Sequence, residues 1–129
     1  MTYRLHRPEA LQALTIAMIT AAGWSEAEAR ETAEHLVLAN LSGHDSHGVG
    51  MLPLYFNSLA DGNLKPASKL SIRIEAGPFL IADGNVALGQ PTARDAVDRG
   101  IIIAQAGGVA ILNLLDAHHI GRIGHYAEV

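Results

Sequence analysis

Helical patterning gives way to alternation at the stretch Leu70-Ser71-Ile72-Arg73-Ile74-Glu75, where apolar and polar side chains follow one another with a period of two. This spacing predicts a β-strand. After Gly77-Pro78, three features indicate another short strand with a tight connection: the run 79–82, the turn residues Asp83-Gly84-Asn85, and the run 86–88. We therefore expect a hairpin in this part of the chain.

A helix is predicted to follow the hairpin, beginning at Pro91, because proline is well placed in the first turn of a helix. Gly107-Gly108 ends this helix, and its inner face is expected to carry four apolar residues, Ala93, Ala96, Val97 and Ile101. The apolar run from Val109 to Leu112 is typical of a buried strand. The order of strand, helix and buried strand predicts an α/β unit.

Toward the amino terminus the patterning is helical. A first helix is expected to begin at Pro8 and end at Gly23, with apolar residues at helical spacing at Leu11, Leu14 and Met18. Ser25 and Glu28 have the spacing of a capping box, which predicts the start of a second helix. The apolar stripe of this helix ends before Gly43 and comprises Ala29, Ala33, Leu36, Val37 and Leu41.

The segment from Gly43 to Gly50 contains three glycines and no periodicity, which predicts an ordered loop. Pro53 can open a short third helix, which Asp61-Gly62-Asn63 breaks. The change of patterning predicts one domain boundary: residues 1–68 form a helical unit, and residues 69–129 form the first part of an α/β domain. Residues 118–129 have the pattern of a loop that enters a further helix, so we expect sequence to follow them.

Composition narrows the class of protein. The chain has 129 residues, 49% hydrophobic and 17% charged, with a formal net charge of -4, which is typical of a soluble domain with a core. Its Arg and Lys residues are scattered, so nucleic acid and anionic membranes are poor candidate partners. No apolar run approaches the roughly 20 residues that span a bilayer, and no signal-type stretch follows Met1, so we expect a cytoplasmic protein. Because there are no cysteines, acid–base chemistry must come from other side chains.

Histidines mark two candidate sites. The chain has seven, and five of them lie in two short segments that also contain glycine: His44, His47, His118, His119 and His125. A histidine in a glycine-flanked loop beside a hydroxyl can exchange a proton near neutral pH. The second segment follows the predicted strand 109–112, at the edge of an α/β sheet where ligands commonly bind. In both segments a purely structural histidine is an equally good interpretation.

Several strings of the sequence carry a resemblance. They are Leu38-Ala39-Asn40-Leu41, Gly43-His44-Asp45-Ser46-His47-Gly48-Val49, Leu52-Pro53-Leu54-Tyr55, Asp83-Gly84 with Leu88-Gly89-Gln90, and His119-Ile120-Gly121-Arg122-Ile123-Gly124-His125-Tyr126-Ala127-Glu128. In order and spacing they resemble the malate/L-lactate dehydrogenase family, oxidoreductases built on a non-Rossmann fold. The resemblance runs through nearly the whole chain. The Ser-His-Gly element and the His-x-Gly-x-x-Gly-x-Tyr element are specific when they occur together at this separation.

The resemblance implies an α/β (α+β) fold, in which a small helical amino-terminal unit precedes the start of a mixed-sheet, non-Rossmann nicotinamide-binding domain. It implies that NAD or NADP exchanges a hydride with the 2-oxo or 2-hydroxy carbon of a small acid such as malate or lactate, in a homodimer. His47 and His119 correspond to catalytic positions, Ser46 and Tyr55 to substrate-binding positions, and His119 and Gly121 to cofactor-binding positions. Which histidine moves the proton is open, and Tyr55 is equally well explained as a packing residue.

Two features depart from the family pattern. Met51 stands where several members have an arginine suited to a bidentate grip on a substrate carboxylate. Either another residue binds that carboxylate or the substrate differs. Family members are also considerably longer, and most residues that bind the pyrophosphate and adenosine come from sequence that would follow Val129.

Two other interpretations are open. The first is a histidine metal-binding module, in which His44, Asp45, His47 and the later histidines hold Zn²⁺, although two distant loops do not guarantee the convergent geometry that zinc needs. The second is a truncated chain that folds or dimerises without activity. The sequence does not specify the acid, nor the choice between NAD and NADP.

Overall fold

The computed structural model describes residues 5–128 as four α-helices and a three-stranded sheet. The helices are α1 (Pro8–Ala21), α2 (Glu26–Leu41), α3 (Leu52–Ala60) and α4 (Gly89–Gly107), and the strands are β1 (Ser71–Ala76), β2 (Phe79–Asp83) and β3 (Ile111–Leu115). Short 3₁₀ turns occupy Asp45–His47, Val49–Met51 and Ile123–Ala127. The α/β class predicted from the sequence is confirmed. The outermost residues of the two predicted domains, 1–4 and 129, lie outside the described residues.

The first two helices form a hairpin whose boundaries agree with the sequence signals. Pro8 is the first residue of α1, and Gly23 turns the chain after it with a φ of +110°. At the start of α2, the side chain of Ser25 accepts the Glu28 N–H at 3.3 Å, and the Ser25 N–H donates to the Glu28 carboxylate at 3.1 Å. This reciprocal pairing satisfies two N–H groups that a helix start leaves open. The predicted capping box is present.

The sheet has the order β1-β2-β3 and mixes both strand orientations. Strands β1 and β2 pair antiparallel across the tight turn at Gly77-Pro78, and β2 pairs parallel with β3. Helix α4 provides the crossover between the two parallel strands, as a parallel connection requires. The predicted hairpin and the predicted α/β unit therefore follow one another in a single mixed sheet.

The run 86–88, which the sequence groups with a short strand and its tight connection, is not part of a strand. Asn85 and Val86 adopt left-handed backbone conformations, with φ of 50° and 55°. The Asn85 N–H donates to the Asp83 carboxylate at 2.8 Å, and the Val86 N–H donates to the Asp116 carbonyl at 2.8 Å. These bonds turn the chain directly into α4, which begins at Gly89 instead of Pro91.

The prediction that the run 109–112 is buried is also wrong. Strand β3 begins at Ile111, and both Val109 and Ile111 are more than half exposed, at 53% and 54%. The reason is that one face of β3 is uncovered within the described residues. Helix α4 packs against it, and within residues 5–128 no second element covers the opposite face.

The main apolar core lies among α1, α2, α3 and the segment before α4. Its buried members are Ile19, Trp24, Ala29, Leu36, Leu52, Tyr55, Leu64 and Leu88. On α1 the buried residues are Thr15 and Ile19, whereas Leu14 is 56% exposed. The domain boundary at residue 68 stays a prediction. Among the helices that the structure describes, none is long and apolar enough to cross a membrane.

Candidate active site

The loop that carries His47 is fixed by the end of α2. The side chain of Asn40 donates to the Asp45 carboxylate at 2.6 Å and accepts the Val49 N–H at 2.9 Å, so it holds the loop at both ends. A Cβ on Gly48 would overlap the Asn40 amide, which explains why the residue after His47 is glycine. The loop is ordered, as the sequence predicts, and it places His47 in a half-buried position.

The side chains of this loop point in different directions. Ser46 Oγ lies 2.9 Å from His47 Nδ1, so one nitrogen of that imidazole is engaged by a neighbouring hydroxyl. His44 Nδ1 instead lies 2.9 Å from the Ser42 carbonyl oxygen at the end of α2. Ser46 is exposed. His47 is therefore the histidine of this loop that belongs to the candidate site.

The segment that carries His119 follows β3 and is fixed by two glycines. A Cβ on Gly84 would lie 2.8 Å from the Ala117 Cα, and a Cβ on Gly89 would overlap the carbonyl oxygens of His118 and His119. The segment therefore packs directly on the backbone at the start of α4. This contact explains why the strings Asp83-Gly84 and Leu88-Gly89-Gln90 contain glycine at residues 84 and 89.

Three side chains form a hydrogen-bonded chain at the centre of the site. The Tyr55 hydroxyl lies 2.8 Å from His119 Nδ1, and the Gln90 side-chain amide donates to the same hydroxyl at 2.5 Å. Tyr55 is only 2% exposed because it is part of the main core. The edge of its ring also meets His118, with ring centroids 5.0 Å apart. Tyr55 thus links the core of the helical unit to the histidines after β3.

The structure brings together the two histidines that the sequence predicts as catalytic. The ring centroids of His47 and His119 lie 5.4 Å apart, with an angle of 36° between the ring planes. Each imidazole has its Nδ1 engaged, by Ser46 and Tyr55 respectively. Within the described residues, Nε2 of each ring makes no hydrogen bond. Two nitrogens that can exchange protons are therefore left free at one place.

Burial sets the protonation states in this cluster. Burial lowers the pKa of His119, and the nearby positive charge of His47 and then of His118 lowers it further. Burial raises the pKa of Tyr55 to about 12, with a smaller opposing effect of the hydrogen bond from Gln90. At neutral pH the site therefore holds a neutral His119 beside a protonated Tyr55.

A sequence model described as malate/L-lactate dehydrogenase matches residues 6–129. The chain belongs to that family. The resemblance seen in the sequence strings is therefore confirmed, and the mixed sheet agrees with the fold that the family implies.

Curated relatives in the family are much longer than this chain. It is 46% identical over 106 residues to hydroxycarboxylate dehydrogenase B of Escherichia coli O157:H7, covering 82% of this chain and 29% of the relative. It is 34% identical over 122 residues to malate/(S)-sulfolactate dehydrogenase of Methanothermus fervidus, covering 95% and 36%. The malate dehydrogenase structure from Pyrococcus horikoshii OT3 superposes with a TM-score of 0.91 at 28% identity, covering 98% and 36%. The chain spans about a third of the length of the relatives it matches.

Gly121, predicted to bind cofactor, has a packing role in this family member. It is buried with a φ of +82°, and a Cβ there would overlap the imidazole of His35. The next residue, Arg122, donates its backbone N–H to His35 Nε2 at 3.0 Å. Burial and the positive charges of His125 and Arg122 lower the pKa of His35 to about 4. The contact of Gly121 with a cofactor stays a prediction.

Sequence reasoning gave no role to three residues that shape the site: Gln90, His118 and His35. Gln90 is 1% exposed and contacts Tyr55, but only the fold brings these two residues together. His118 was passed over in favour of His119, although its ring packs on Tyr55. His35 carried a usable signal, because it lies beside the apolar stripe of α2 and a polar residue there must find a buried partner.

The metal-binding interpretation finds no support in the geometry. Among residues 5–128, no group of three or more His, Cys, Asp or Glu side chains is placed to hold a metal ion. A cleft of about 710 Å³ lies between α1, α2 and the Ser-His-Gly loop, and Leu11, Leu41 and Asp45 line it. Neither His47 nor His119 lines this cleft. The candidate site is therefore the paired half-buried imidazoles, not the cleft.

Proposed function

We propose that the complete protein is an oxidoreductase that transfers a hydride between NAD(P)H and the 2-oxo or 2-hydroxy carbon of a small carboxylic acid such as malate or lactate. The observation that carries this proposal is the convergence of His47 and His119, with ring centroids 5.4 Å apart. The matching relatives support it, since they are named as dehydrogenases of malate, lactate and sulfolactate.

The residues of this chain would handle the proton. A reduced nicotinamide supplies the hydride, and its transfer to a 2-oxo carbon leaves negative charge on the oxygen. A positioned proton donor lowers the barrier to this step by about 10²- to 10⁴-fold in rate. In the part of the chain that the structure describes, no hydrogen bond occupies Nε2 of His47 or His119, so either atom can meet that oxygen. The Nδ1 atoms of both rings are engaged, by Ser46 and Tyr55 respectively.

We assign the proton exchange to His119, with His47 beside it as a second contact to the substrate oxygen. His119 is anchored by the buried hydroxyl of Tyr55, whereas the partner of His47 is the exposed Ser46. A ring with a buried anchor keeps its orientation as its charge changes. The lowered pKa of His119 makes it neutral at pH 7, and a neutral imidazole can accept the proton of a 2-hydroxy acid when its Nε2 is unprotonated.

Ser46 and Tyr55 take different parts in this proposal. Ser46 is exposed beside His47, so its hydroxyl can hydrogen-bond the substrate. Tyr55 is 2% exposed, and its hydroxyl is already shared by His119 and Gln90. Its packing therefore favours a role in holding His119 over direct contact with the acid. Met51 packs against the core, so a different residue must bind the carboxylate of the substrate.

The residues around His119 fit the nicotinamide end of a cofactor. His118 Nδ1 is buried without a hydrogen-bond partner among the described residues. The carboxamide of nicotinamide carries both a donor and an acceptor, so it can satisfy such an atom. We propose that His118, His119 and Gly121 lie along this end of the cofactor. NAD and NADP have the same nicotinamide end, so these residues can bind either cofactor.

The direct test is a substrate screen on the complete protein. Small 2-oxo acids are offered with NADH and with NADPH, 2-hydroxy acids with the oxidised cofactors, and absorbance at the nicotinamide band is followed. We expect turnover with at least one small acid and loss of turnover in His119→Ala. His44→Ala is the matched control, because among residues 5–128 the His44 side chain hydrogen-bonds only the Ser42 carbonyl.

Absence of turnover with every acid, in a folded protein that binds neither cofactor, would contradict the proposal. The same preparation tests two further proposals. A homodimer is expected in sedimentation equilibrium, and a cytoplasmic location is expected in cell fractionation.

A further inference from the structure

Gln90 is buried in the first turn of α4 and contacts the site through one end of its amide. Its Nε2 donates to the Tyr55 hydroxyl at 2.5 Å, and the whole residue is 1% exposed. Its Oε1 is buried and has no hydrogen-bond partner among residues 5–128. A buried amide with one contacted end and one orphaned end is unusual, because buried polar atoms are nearly always paired.

The direction of the hydrogen bonds decides where His119 carries its proton. A phenol has one hydrogen to donate. Because the Gln90 N–H already points at the Tyr55 oxygen, the Tyr55 hydrogen goes to its other neighbour, His119 Nδ1, at 2.8 Å. A nitrogen that accepts carries no proton in a neutral imidazole. His119 is therefore protonated on Nε2.

The other tautomer of His119 would form if the side-chain amide of Gln90 rotated by 180°. The two ends of a glutamine amide have nearly the same shape. With Oε1 toward Tyr55, the phenol would donate to Gln90 and accept from Nδ1–H of His119, which leaves Nε2 with a free lone pair. Within the described residues, no hydrogen bond holds the far end of the Gln90 amide in the orientation seen in the structure.

We propose that Gln90 is a positioning residue that, through Tyr55, selects which ring nitrogen of His119 carries the proton. It thereby decides whether the free Nε2 meets a substrate oxygen as a donor or as an acceptor. This inference rests on the proposed function, in which that oxygen belongs to a 2-oxo or 2-hydroxy acid. The orientation in the structure presents a donor, which suits a carbonyl, and the turned amide presents an acceptor, which suits an alcohol.

The start of α4 positions His119 in a second way. Gly89, the residue before Gln90, packs directly on the His119 carbonyl. Gly89 thus fixes the backbone of His119, and Gln90, the next residue of the helix, fixes the His119 ring through Tyr55. A ring that cannot move away from Tyr55 must respond to a change at Gln90 by moving its proton.

The test measures the tautomer of His119 directly. Long-range ¹H–¹⁵N spectra of the complete ¹⁵N-labelled protein distinguish a protonated from an unprotonated ring nitrogen. In the unaltered protein, neutral His119 should carry its proton on Nε2. Gln90→Met keeps the side-chain volume but offers no hydrogen bond, so the two tautomers should mix. Gln90→Glu offers only acceptor atoms when ionised, so the proton should move to Nδ1 and the pKa of His119 should rise by about one unit.

Two control variants and one further measurement make the result decisive. Gln105→Met changes an exposed glutamine of the same helix and should leave the His119 signals unchanged. Tyr55→Phe breaks the connection without altering Gln90 and should also mix the tautomers, so a poorly folded Gln90 variant does not leave the question open. The pH profile of kcat/KM should shift upward in Gln90→Glu and stay in place in Gln105→Met.

The proposal is overturned if neutral His119 carries its proton on Nδ1 in the unaltered protein. It is also overturned if the tautomer is the same in Gln90→Met and Tyr55→Phe as in the unaltered protein. Because the tautomer is read without substrate, a protein that responds at His119 but turns over no acid would retain this inference and reject the proposed function.

Discussion

Two kinds of neighbour hold the paired imidazoles. His119 faces the hydroxyl of Tyr55, which has a pKa of about 12 and keeps its proton across the physiological range. His47 faces the hydroxyl of Ser46, which is exposed to solvent. The contact of His119 with Tyr55 is buried, whereas the contact of His47 with Ser46 is accessible to a ligand. This difference supports separate tasks for two side chains of the same chemical type.

Replacing either histidine should lower turnover, and replacing His47 should spare cofactor binding. His119→Ala and His47→Ala each remove a group proposed to act on the substrate oxygen, so kcat should fall by about 10²- to 10⁴-fold. In His47→Ala, the dissociation constant for NADH or NADPH, measured by fluorescence titration, should change little. His44→Ala, in the same loop as His47, should retain both values.

An equal loss of turnover and cofactor affinity in His47→Ala would instead indicate a structural role. Circular dichroism of each variant separates that case from unfolding.

At the scale of elements, close backbone packing at the start of α4 holds the segment after β3. Gly89 and Gly84 allow this packing, because a side chain at either position would meet the backbone of residues 117–119. The geometry of the site thus depends on positions that carry no functional group.

Gly89→Ala should damage both stability and the site. Its methyl group would overlap the His118 and His119 carbonyl oxygens, which cannot move without shifting the segment, so we expect a loss of about 1 to 3 kcal/mol and lower kcat. Gly100→Ala is the matched control in the same helix, because a Cβ there meets no atom within 4 Å. That change should be neutral or stabilise by about 0.5 to 1 kcal/mol. Urea unfolding measures the free energy of unfolding of both variants. Equal values for the two would argue against the contact of Gly89 with residues 118 and 119.

Helix α2 contacts the segment after His119 through His35. Its imidazole accepts the Arg122 N–H, lies 4.3 Å from the ring centroid of His125, and is 4% exposed. Protonation of His35 Nε2 would remove the acceptor and place a charge beside Arg122.

This contact should make folding stability depend on pH. The pKa of His35 is lowered from 6.5 to about 4 in the folded chain, so between these values the unfolded chain binds more protons. The stabilisation is complete above pH 6.5 and is lost as the pH falls toward 4, by about 2 to 3 kcal/mol. His35→Gln keeps an acceptor for the Arg122 N–H but does not titrate. Urea unfolding between pH 4 and 7 should show a shallower slope in this variant, and an unchanged slope would exclude His35 as the cause.

Local signals in the sequence were sufficient for most of the helices and strands. The capping box at Ser25 and the proline at Pro8 place two helix starts because both act within one turn of the chain. The run 86–88 was misread because its path is set by a bond from Val86 to Asp116 across the fold. Gln90 was missed for the same reason, since no spacing rule relates it to Tyr55. The site residues were suggested by a family resemblance, and the proximity of His47 to His119 became evident only in the folded chain.

At the scale of the whole molecule, apolar side chains remain exposed on the two outer strands of the sheet. Ile74 and Ile111 are 50% and 54% exposed, and Phe79 between them is 52% exposed. A contiguous apolar surface of this kind commonly marks an interface. The relatives are about three times as long as this chain, so their additional sequence is available to cover such a face.

The 129-residue polypeptide expressed alone should bind a dye for apolar surfaces such as ANS. Ile74→Thr and Ile111→Thr should lower dye fluorescence while changing unfolding free energy by about 0.5 kcal/mol or less. Asp98→Asn, on an exposed position of α4, is the control and should leave dye binding unchanged. Absence of dye binding together with a doubled mass in sedimentation would show that a second copy covers the face.

Helix α2 contacts both segments that carry the catalytic histidines. Asn40 hydrogen-bonds the loop that contains His47, and His35 accepts a hydrogen bond from the segment that follows His119. The two imidazoles therefore share one rigid support. We expect a shift of this helix to displace both segments together. Temperature should consequently disturb how the pair is presented to a ligand well before it disturbs the pair itself.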